Sequence, residues 1–76
     1  MRFHTTPHFA NRLEDRSISM ERAKKTISYG EKRPLRSGNH GGKVYTFTEH
    51  GQHKALIVVA EIKSQECWLI TAYENG

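Results

Sequence analysis

Apolar residues recur at helical spacing near the start of the chain. Phe9 and Leu13 lie four residues apart, a spacing that places them on one face of a helix. Thr6 can accept hydrogen bonds from the free N–H groups of a first turn, and Pro7 suits the first helical position because its missing N–H costs nothing there. These signals predict a first helix from Pro7 to about Asp15.

A second helical pattern follows the first. Ser19 is its expected N-cap, and Gly30 is expected to end it in a left-handed conformation. The pattern therefore predicts a helix from Met20 to Tyr29. Its buried stripe is formed by Met20, Ala23 and Ile27.

The second half of the chain has the period of β-strands. Residues alternate from Lys43 to Thr48, with Val44, Thr46 and Thr48 on one face and Tyr45 and Phe47 on the other, which predicts a strand. The segment from Cys67 to Tyr73 is predicted to be the last strand. The segment from Ala55 to Ile62 is almost continuously apolar, so we expect it to be the central strand, covered on both faces. Residues 2–5 can add a short edge strand.

Residues 31–42 carry neither pattern. Pro34 and three glycines argue against a regular element, and three cations make the segment basic. We therefore expect a flexible basic loop. The predicted fold is α+β, with the two N-terminal helices packed on one face of a three- to four-stranded antiparallel sheet, in a single domain of residues 1–76.

The whole chain of 76 residues has a net charge of +4, and its positive charge is concentrated in the first half. Residues 1–43 hold ten Lys and Arg against four Asp and Glu, a net of +6. Residues 44–76 hold two against four, a net of −2. A basic half indicates a polyanion or an acidic protein as the partner.

Cysteine content and hydropathy indicate the compartment. The single cysteine, Cys67, excludes an internal disulfide and fits a reducing cytoplasm. No apolar run is long enough to span a bilayer, and the N-terminus lacks the apolar region of a signal peptide. We expect a cytoplasmic protein without a membrane partner.

Three residues of the first predicted helix are candidates for chemistry. His8, Arg12 and Arg16 follow one another at four-residue spacing and so line one side of the helix. An imidazole beside two permanent cations suits a phosphodiester, because the arginines can hold the non-bridging oxygens while the histidine moves a proton. An ordinary polar helix flank has the same spacing, and spacing alone favours that simpler interpretation.

Further candidates lie in the basic loop and on the last strand. Alternation along that strand places Thr71 and Tyr73 on the face of Cys67, opposite Trp68, which is expected in the core. The two hydroxyls can bind phosphate and the Tyr73 ring can stack on a base, although Tyr73 closing the edge of the core is an equal alternative. The loop cations that can bind phosphate are Lys32, Arg33 and Arg36.

The five histidines do not indicate a metal site. His50 and His53 are three residues apart across a turn, but zinc usually has further Cys or carboxylate ligands on a second element. Cys67 in the middle of a strand is more typical of a small buried apolar residue. We expect no metal and no other cofactor.

The first helix and its flanks follow a recognisable pattern. Residues 6–19 read T-x-H-x-x-x-R-[LM]-x-x-R-x-I-S. This segment resembles a widespread bacterial family of small proteins known as a domain of unknown function, and it is similar to the RelE/BrnT-like toxin superfamily. The apolar central strand and the closing strand with Thr and Tyr also resemble that family.

The resemblance implies a RelE-like fold, a basic groove that cleaves or binds RNA, and a cognate antitoxin as partner. His8 and Arg12 would be the site residues on the first helix. Thr71 and Tyr73 would come from the closing strand. Arg16 would be either a groove cation or a structural clamp on the turn that follows.

The leading hypothesis is a metal-independent endoribonuclease toxin. His8 would take the proton of the RNA 2′-OH, and the 2′-oxygen would attack the adjacent phosphorus. Arg12 and a loop cation would stabilise the developing charge, and Tyr73 or protonated His8 would assist the leaving 5′-oxygen. The alternative is a non-catalytic module that binds an acidic protein or a nucleic acid. Because the core is small, a homodimer or an antitoxin complex is expected to add stability.

Overall fold

The computed structural model describes residues 1–76 as two helices and five strands. The helices are α1 (Pro7–Asp15) and α2 (Met20–Tyr29), as predicted from their apolar spacing and caps. Neither is long and apolar enough to cross a membrane. The strands are β1 (Arg2–His4), β2 (Glu31–Ser37), β3 (Lys43–His50), β4 (Ala55–Lys63) and β5 (Glu66–Asn75).

Side-chain oxygens cap the N-termini of both helices, as predicted. The N–H of Phe9 donates to Oγ1 of Thr6 at 3.1 Å. The N–H of Arg22 donates to Oγ of Ser19 at 3.1 Å. Each cap satisfies a backbone donor that has no partner within the helix.

Gly30 ends α2, but in an unexpected way. Its φ is −75° and its conformation is extended, so the prediction of a left-handed stop is wrong. Glycine is needed because a Cβ atom there would lie 2.5 Å from the carbonyl oxygen of Thr26 and 2.9 Å from that of Thr48. The chain therefore turns from α2 into β2 at a point of close backbone approach.

The strands form one sheet in the order β1-β5-β4-β3-β2. β1 runs parallel to β5, and the other three pairs are antiparallel. The sheet is therefore mixed and five-stranded, and the prediction of a three- to four-stranded antiparallel sheet is wrong. Three residues of β1 carry no periodicity that could distinguish a parallel from an antiparallel partner.

β2 is the strand that the sequence pattern does not reveal. Glu31–Ser37 occupies most of the predicted flexible loop, and residues 38–42 alone remain a loop. All seven residues of β2 are exposed, so no apolar face marks the strand. A bulge between Pro34 and Arg36 accommodates the proline at the sheet edge, where a missing N–H is tolerated.

A β-bulge changes which residues of β5 share a face. The pairing with β4 shifts by one residue, and Ile70 is the extra residue. Simple alternation therefore fails beyond Ile70. Thr71 and Tyr73 lie on the face of Trp68 and not on that of Cys67, contrary to prediction.

One face of the sheet carries the main core, and we call it the helix-bearing face because Phe9 and Leu13 of α1 and Ala23 and Ile27 of α2 are buried in that core. α1 makes its main contacts with β5, and α2 makes its main contacts with β3 and β4. The prediction that both helices pack on one face of an antiparallel sheet is therefore wrong in this form. Cys67 is fully buried in this core, as predicted, and burial raises the pKa of its thiol to about 11. The buried cluster consists of Phe9, Leu13, Ile18, Ala23, Ile27, Phe47, Leu56, Val58, Ala60, Cys67, Leu69 and Ala72.

The opposite face of the sheet has a small buried cluster of its own, to which no helix contributes. Val44, Ile57 and Val59 form this cluster, with Ala55 and Ile70 packed against it. We call this side of the sheet, defined by Val44, Ile57 and Val59, the open face. The other residues that point to it are mostly polar, and they include the candidate site.

Candidate functional site

Cross-strand pairing arranges the open face in rows that run across the sheet. One row joins Arg36, Val44, Glu61, Trp68 and His4. The next row joins Arg33, Thr46, Val59 and Thr71. A further row, two residues along each strand, joins Glu31, Thr48, Ile57 and Tyr73. Polar side chains from distant parts of the chain thereby share one surface.

The strand residues predicted as site residues divide between the two faces. Tyr73 is 40% exposed, so its ring is available for stacking. Arg33 is paired with Oε2 of Glu31 at 2.9 Å. Lys32 lies on the helix-bearing side, with its Nζ 4.2 Å from the centroid of the Tyr45 ring. The predicted residues on the open face are Arg33, Arg36, Thr71 and Tyr73.

The predicted residues of the first helix and its end lie apart from this face. His8 and Arg12 are exposed on α1 and line none of the pockets of the molecule. Arg16 donates from Nη1 to the carbonyl oxygen of Ala72 at 2.9 Å. This contact joins the end of α1 to β5, so Arg16 is engaged structurally.

A pocket of about 210 Å³ opens at one end of the open face. It lies where β1, the start of α1, the 38–42 loop and β5 meet. Arg36 is the one predicted site residue that lines it. The other polar and aromatic side chains of its lining include His4, Thr6, His40, Glu61 and Trp68.

Glu61 holds the loop that borders this pocket. Its buried carboxylate accepts from the N–H groups of His40 at 2.9 Å and Gly42 at 2.8 Å, and lies 3.1 Å from Nδ1 of His40. Burial opposes ionisation, but the hydrogen bonds from the His40 ring and from both N–H groups outweigh it and lower the pKa of Glu61. An ionised carboxylate can only accept, so Nδ1 of His40 carries the hydrogen, and in the neutral form of the ring Nε2 keeps a lone pair.

Gly38 makes the contact between the loop and Glu61 possible. A Cβ atom at this position would lie 2.0 Å from Cδ of Glu61. Any side chain at residue 38 would therefore displace the carboxylate that holds His40. Close approach is the reason for glycine here.

Trp68 stacks with two imidazole rings. The centroids of His40 and Trp68 are 4.2 Å apart with 8° between the ring planes, and those of His4 and Trp68 are 5.0 Å apart with 11°. Nε2 of His4 is bonded to Oε1 of Glu66, and this hydrogen bond is the main cause of the lowered pKa of Glu66. Trp68 is thus a wall of the pocket and belongs to neither buried cluster, so its predicted core position is wrong.

The histidines of the open face occur in separate pairs with glutamates. His50 forms a further pair with Glu31 at 2.9 Å, and this bond is the main cause of the lowered pKa of Glu31. No three His, Cys, Asp or Glu side chains come together as metal ligands would. The pairs therefore orient imidazole rings against carboxylates.

The sequence pattern does not identify the residues at the centre of the pocket. One signal points to Glu61, because it interrupts the apolar run of a central strand, where a carboxylate needs partners. His40 has no comparable signal, since its partner lies 21 residues further along the chain. His4 and Trp68 come together only through the pairing of β1 with β5.

Comparison with known proteins gives the family of the chain. A family model described as "Domain of unknown function (DUF4258)" matches residues 5–74. The chain belongs to this family. No curated protein and no solved structure matches it significantly. The resemblance noted from the sequence is thus supported for a domain of unknown function, and nothing extends that support to RelE/BrnT-like toxins.

The DUF4258 match covers both groups of candidate residues. It includes His8 and Arg12 on the exposed side of α1, and His40 and Glu61 in the pocket. The match begins at residue 5, one residue after His4, whose ring stacks on Trp68. The pocket of this DUF4258 domain is therefore completed by a residue outside the matched segment.

Proposed function

We propose that this DUF4258 domain binds single-stranded RNA along the open face and cleaves it in the pocket by metal-independent attack of the 2′-OH. The observation that carries the proposal is the hydrogen bond between Nδ1 of His40 and the carboxylate of Glu61, in a pocket that Arg36 also lines. A histidine held in this way presents a basic nitrogen, and an arginine supplies a permanent charge. Together they meet the main chemical demands of RNA transesterification.

In the proposed reaction, Nε2 of His40 takes the proton of the 2′-OH. The 2′-oxygen attacks the adjacent phosphorus, and the bond from phosphorus to the 5′-oxygen of the next nucleotide breaks. Arg36 stabilises the negative charge on the non-bridging oxygens. The imidazolium then gives its proton to the leaving 5′-oxygen. The products are a 2′,3′-cyclic phosphate and a 5′-hydroxyl.

The rows of the open face suit a single strand that leads away from the pocket. Arg33 and Thr71 occupy the row next to the pocket, and Tyr73 occupies the row after it. Tyr73 lies about 15 Å along β5 from Trp68, at the usual rise of a strand. Unpaired bases stack on exposed aromatic rings. We therefore assign Tyr73 to base stacking, in place of the leaving-group role that the sequence suggested.

Cleavage of a short single-stranded RNA by the purified protein tests the site. His40→Ala is expected to lower the rate about 10²- to 10⁴-fold, the usual contribution of a general base. His53→Ala removes an exposed histidine between β3 and β4 and is expected to leave the rate unchanged. Analysis of the fragment ends is expected to show a cyclic phosphate.

The same assay separates the pocket from the site predicted on α1. A double variant, His8→Ala with Arg12→Ala, is expected to cleave at the wild-type rate. Loss of cleavage in this double variant, with full activity in His40→Ala, would place the chemistry on α1 and overturn the assignment to the pocket.

The proposal includes the toxin role that the resemblance implies. An endoribonuclease without its antitoxin is expected to arrest the growth of a bacterial host. We expect arrest and RNA cleavage on expression of the wild type, and neither on expression of His40→Ala. Normal growth with intact RNA in both cultures would contradict a toxin role.

Binding without cleavage is the second candidate function. It is favoured by β2, whose seven residues are all exposed and include Leu35 with an exposure of 52%. A cationic strand with an exposed apolar side chain suits an acidic protein or a nucleic acid. RNA that is bound but remains intact with the wild type would select this candidate.

A further inference from the structure

A second pocket adjoins the ring stack at the outer ends of the strands. Its volume is about 480 Å³, and it shares His4, His40 and Trp68 with the first pocket. The rest of its lining comes from β1, the end of β4, the start of β5 and the turn between these two strands. These residues are Arg2, Lys63, Ser64 and Glu66.

The cations of the second pocket keep hydrogen-bond donors for an anion, although Arg2 also forms an ion pair with Glu66. The guanidinium of Arg2 is 4.0 Å from Oε1 of Glu66, beyond hydrogen-bond distance. That same oxygen is bonded to Nε2 of His4. Nζ of Lys63 makes one hydrogen bond, to the carbonyl oxygen of His40 at 3.3 Å, which leaves two of its hydrogens available. The one carboxylate is engaged, whereas both permanent cations keep unused donors.

The second pocket continues the row pattern of the open face. Arg2 pairs with Glu66, and Glu66 pairs with Lys63. This row lies two residues beyond the row that contains Glu61 and Trp68. An RNA strand that follows the rows reaches it directly after the proposed cleavage site.

We propose that the second pocket binds the RNA backbone phosphate next to the cleaved one, on the side away from Tyr73. This inference rests on the proposed function. Arg2 and Lys63 supply the charge, and the hydroxyl of Ser64 supplies a further hydrogen bond. Because both pockets share the three stacked rings, one polynucleotide can occupy both. A polynucleotide, and not a free phosphate ion, is therefore the ligand.

Binding of an uncleavable 2′-O-methyl oligoribonucleotide tests this site. Trp68 is the sole tryptophan, so its fluorescence reports on a ligand at the ring stack. Arg2→Ala with Lys63→Ala is expected to weaken binding about tenfold and to lower the salt dependence of log affinity by about 0.7, as for one lost phosphate contact. Arg12→Ala with Lys24→Ala removes the same charge from exposed residues of the two helices, away from the open face, and is expected to leave the salt dependence unchanged.

The outcomes separate this inference from the proposed function. If the wild type binds and the Arg2/Lys63 variant has the same salt dependence, the second phosphate site is overturned and the proposed function stands. If the wild type does not bind, both are overturned. Inorganic phosphate is expected to bind at least about 100-fold more weakly than the oligonucleotide. Equal binding of inorganic phosphate would overturn the assignment to a polynucleotide.

Discussion

The two faces of the sheet are built in different ways. The helix-bearing face is filled by apolar side chains that recur at regular spacing along the helices and strands. The open face has three buried apolar residues, and its other positions are mostly polar and include cations, hydroxyls and His–Glu pairs. A single layer of strands thus separates the residues that stabilise the fold from those that can act on a ligand.

The largest change in stability is expected when the core of the helix-bearing face is disrupted. Phe9 is fully buried, and Phe9→Ala is expected to lower the free energy of unfolding by about 3–5 kcal/mol, through lost burial and the cavity left behind. Thr46→Ala, on the open face, is expected to change it by less than about 0.5 kcal/mol. Urea denaturation measures both values. Similar losses in the two variants would show that the open face shares the stabilising role.

The next effect concerns the open face alone. Gly38→Ala is expected to displace the Glu61 carboxylate and release His40, and so to lower the proposed RNA cleavage about 100-fold, the size of effect that a small misplacement of a catalytic group has. The helix-bearing core is not touched, so circular dichroism at 25 °C is expected to show a folded protein. Cleavage at the wild-type rate by a folded Gly38→Ala protein would contradict the role of this contact.

A smaller effect is expected on the pH dependence of stability, to which carboxylates of the open face contribute. Three glutamates on the side of the open face have lowered pKa values: Glu31, Glu61 and Glu66. A carboxylate whose pKa is lower in the folded state stabilises the fold above its usual pKa, and this stabilisation is lost as the pH falls. Thermal unfolding is therefore expected to show a Tm that declines from about pH 5 to about pH 3. Glu66→Gln is expected to flatten this decline, and an unchanged decline would argue against the His4–Glu66 pair.

The smallest expected effect concerns two serines with positive φ. Ser17, after α1, has φ of 55°, and Ser64, at the second pocket, has φ of 54°. Glycine tolerates this conformation better, so each Ser→Gly change is expected to raise the free energy of unfolding by about 0.5 kcal/mol. Ser17→Gly is expected to leave RNA affinity unchanged, whereas Ser64→Gly removes a hydroxyl of the second pocket and is expected to lower it. Equal affinities would argue against a contact from Ser64.

Local sequence signals predicted the helices well but the sheet only in part. Thr6 and Ser19 cap the helices at the predicted positions because capping involves residues three apart. The bulge at Ile70 was not predictable from alternation, and it moves Thr71 and Tyr73 to the open face. Of the predicted site, Arg36 alone reaches the pocket, while His8 and Arg12 stay exposed on α1.

Features that depend on neighbouring residues could be predicted directly from the sequence. These are the two helices with their N-caps, the apolar central strand and the buried Cys67. Three features depend on contacts between distant parts of the chain. These are the addition of β2 to the edge of the sheet, the parallel pairing of β1 with β5, and the pairing of His40 with Glu61. An exposed edge strand shows no apolar period, and a hydrogen bond between distant residues depends on strand register. Register is an outcome of the whole sheet, so it became visible only in the folded chain.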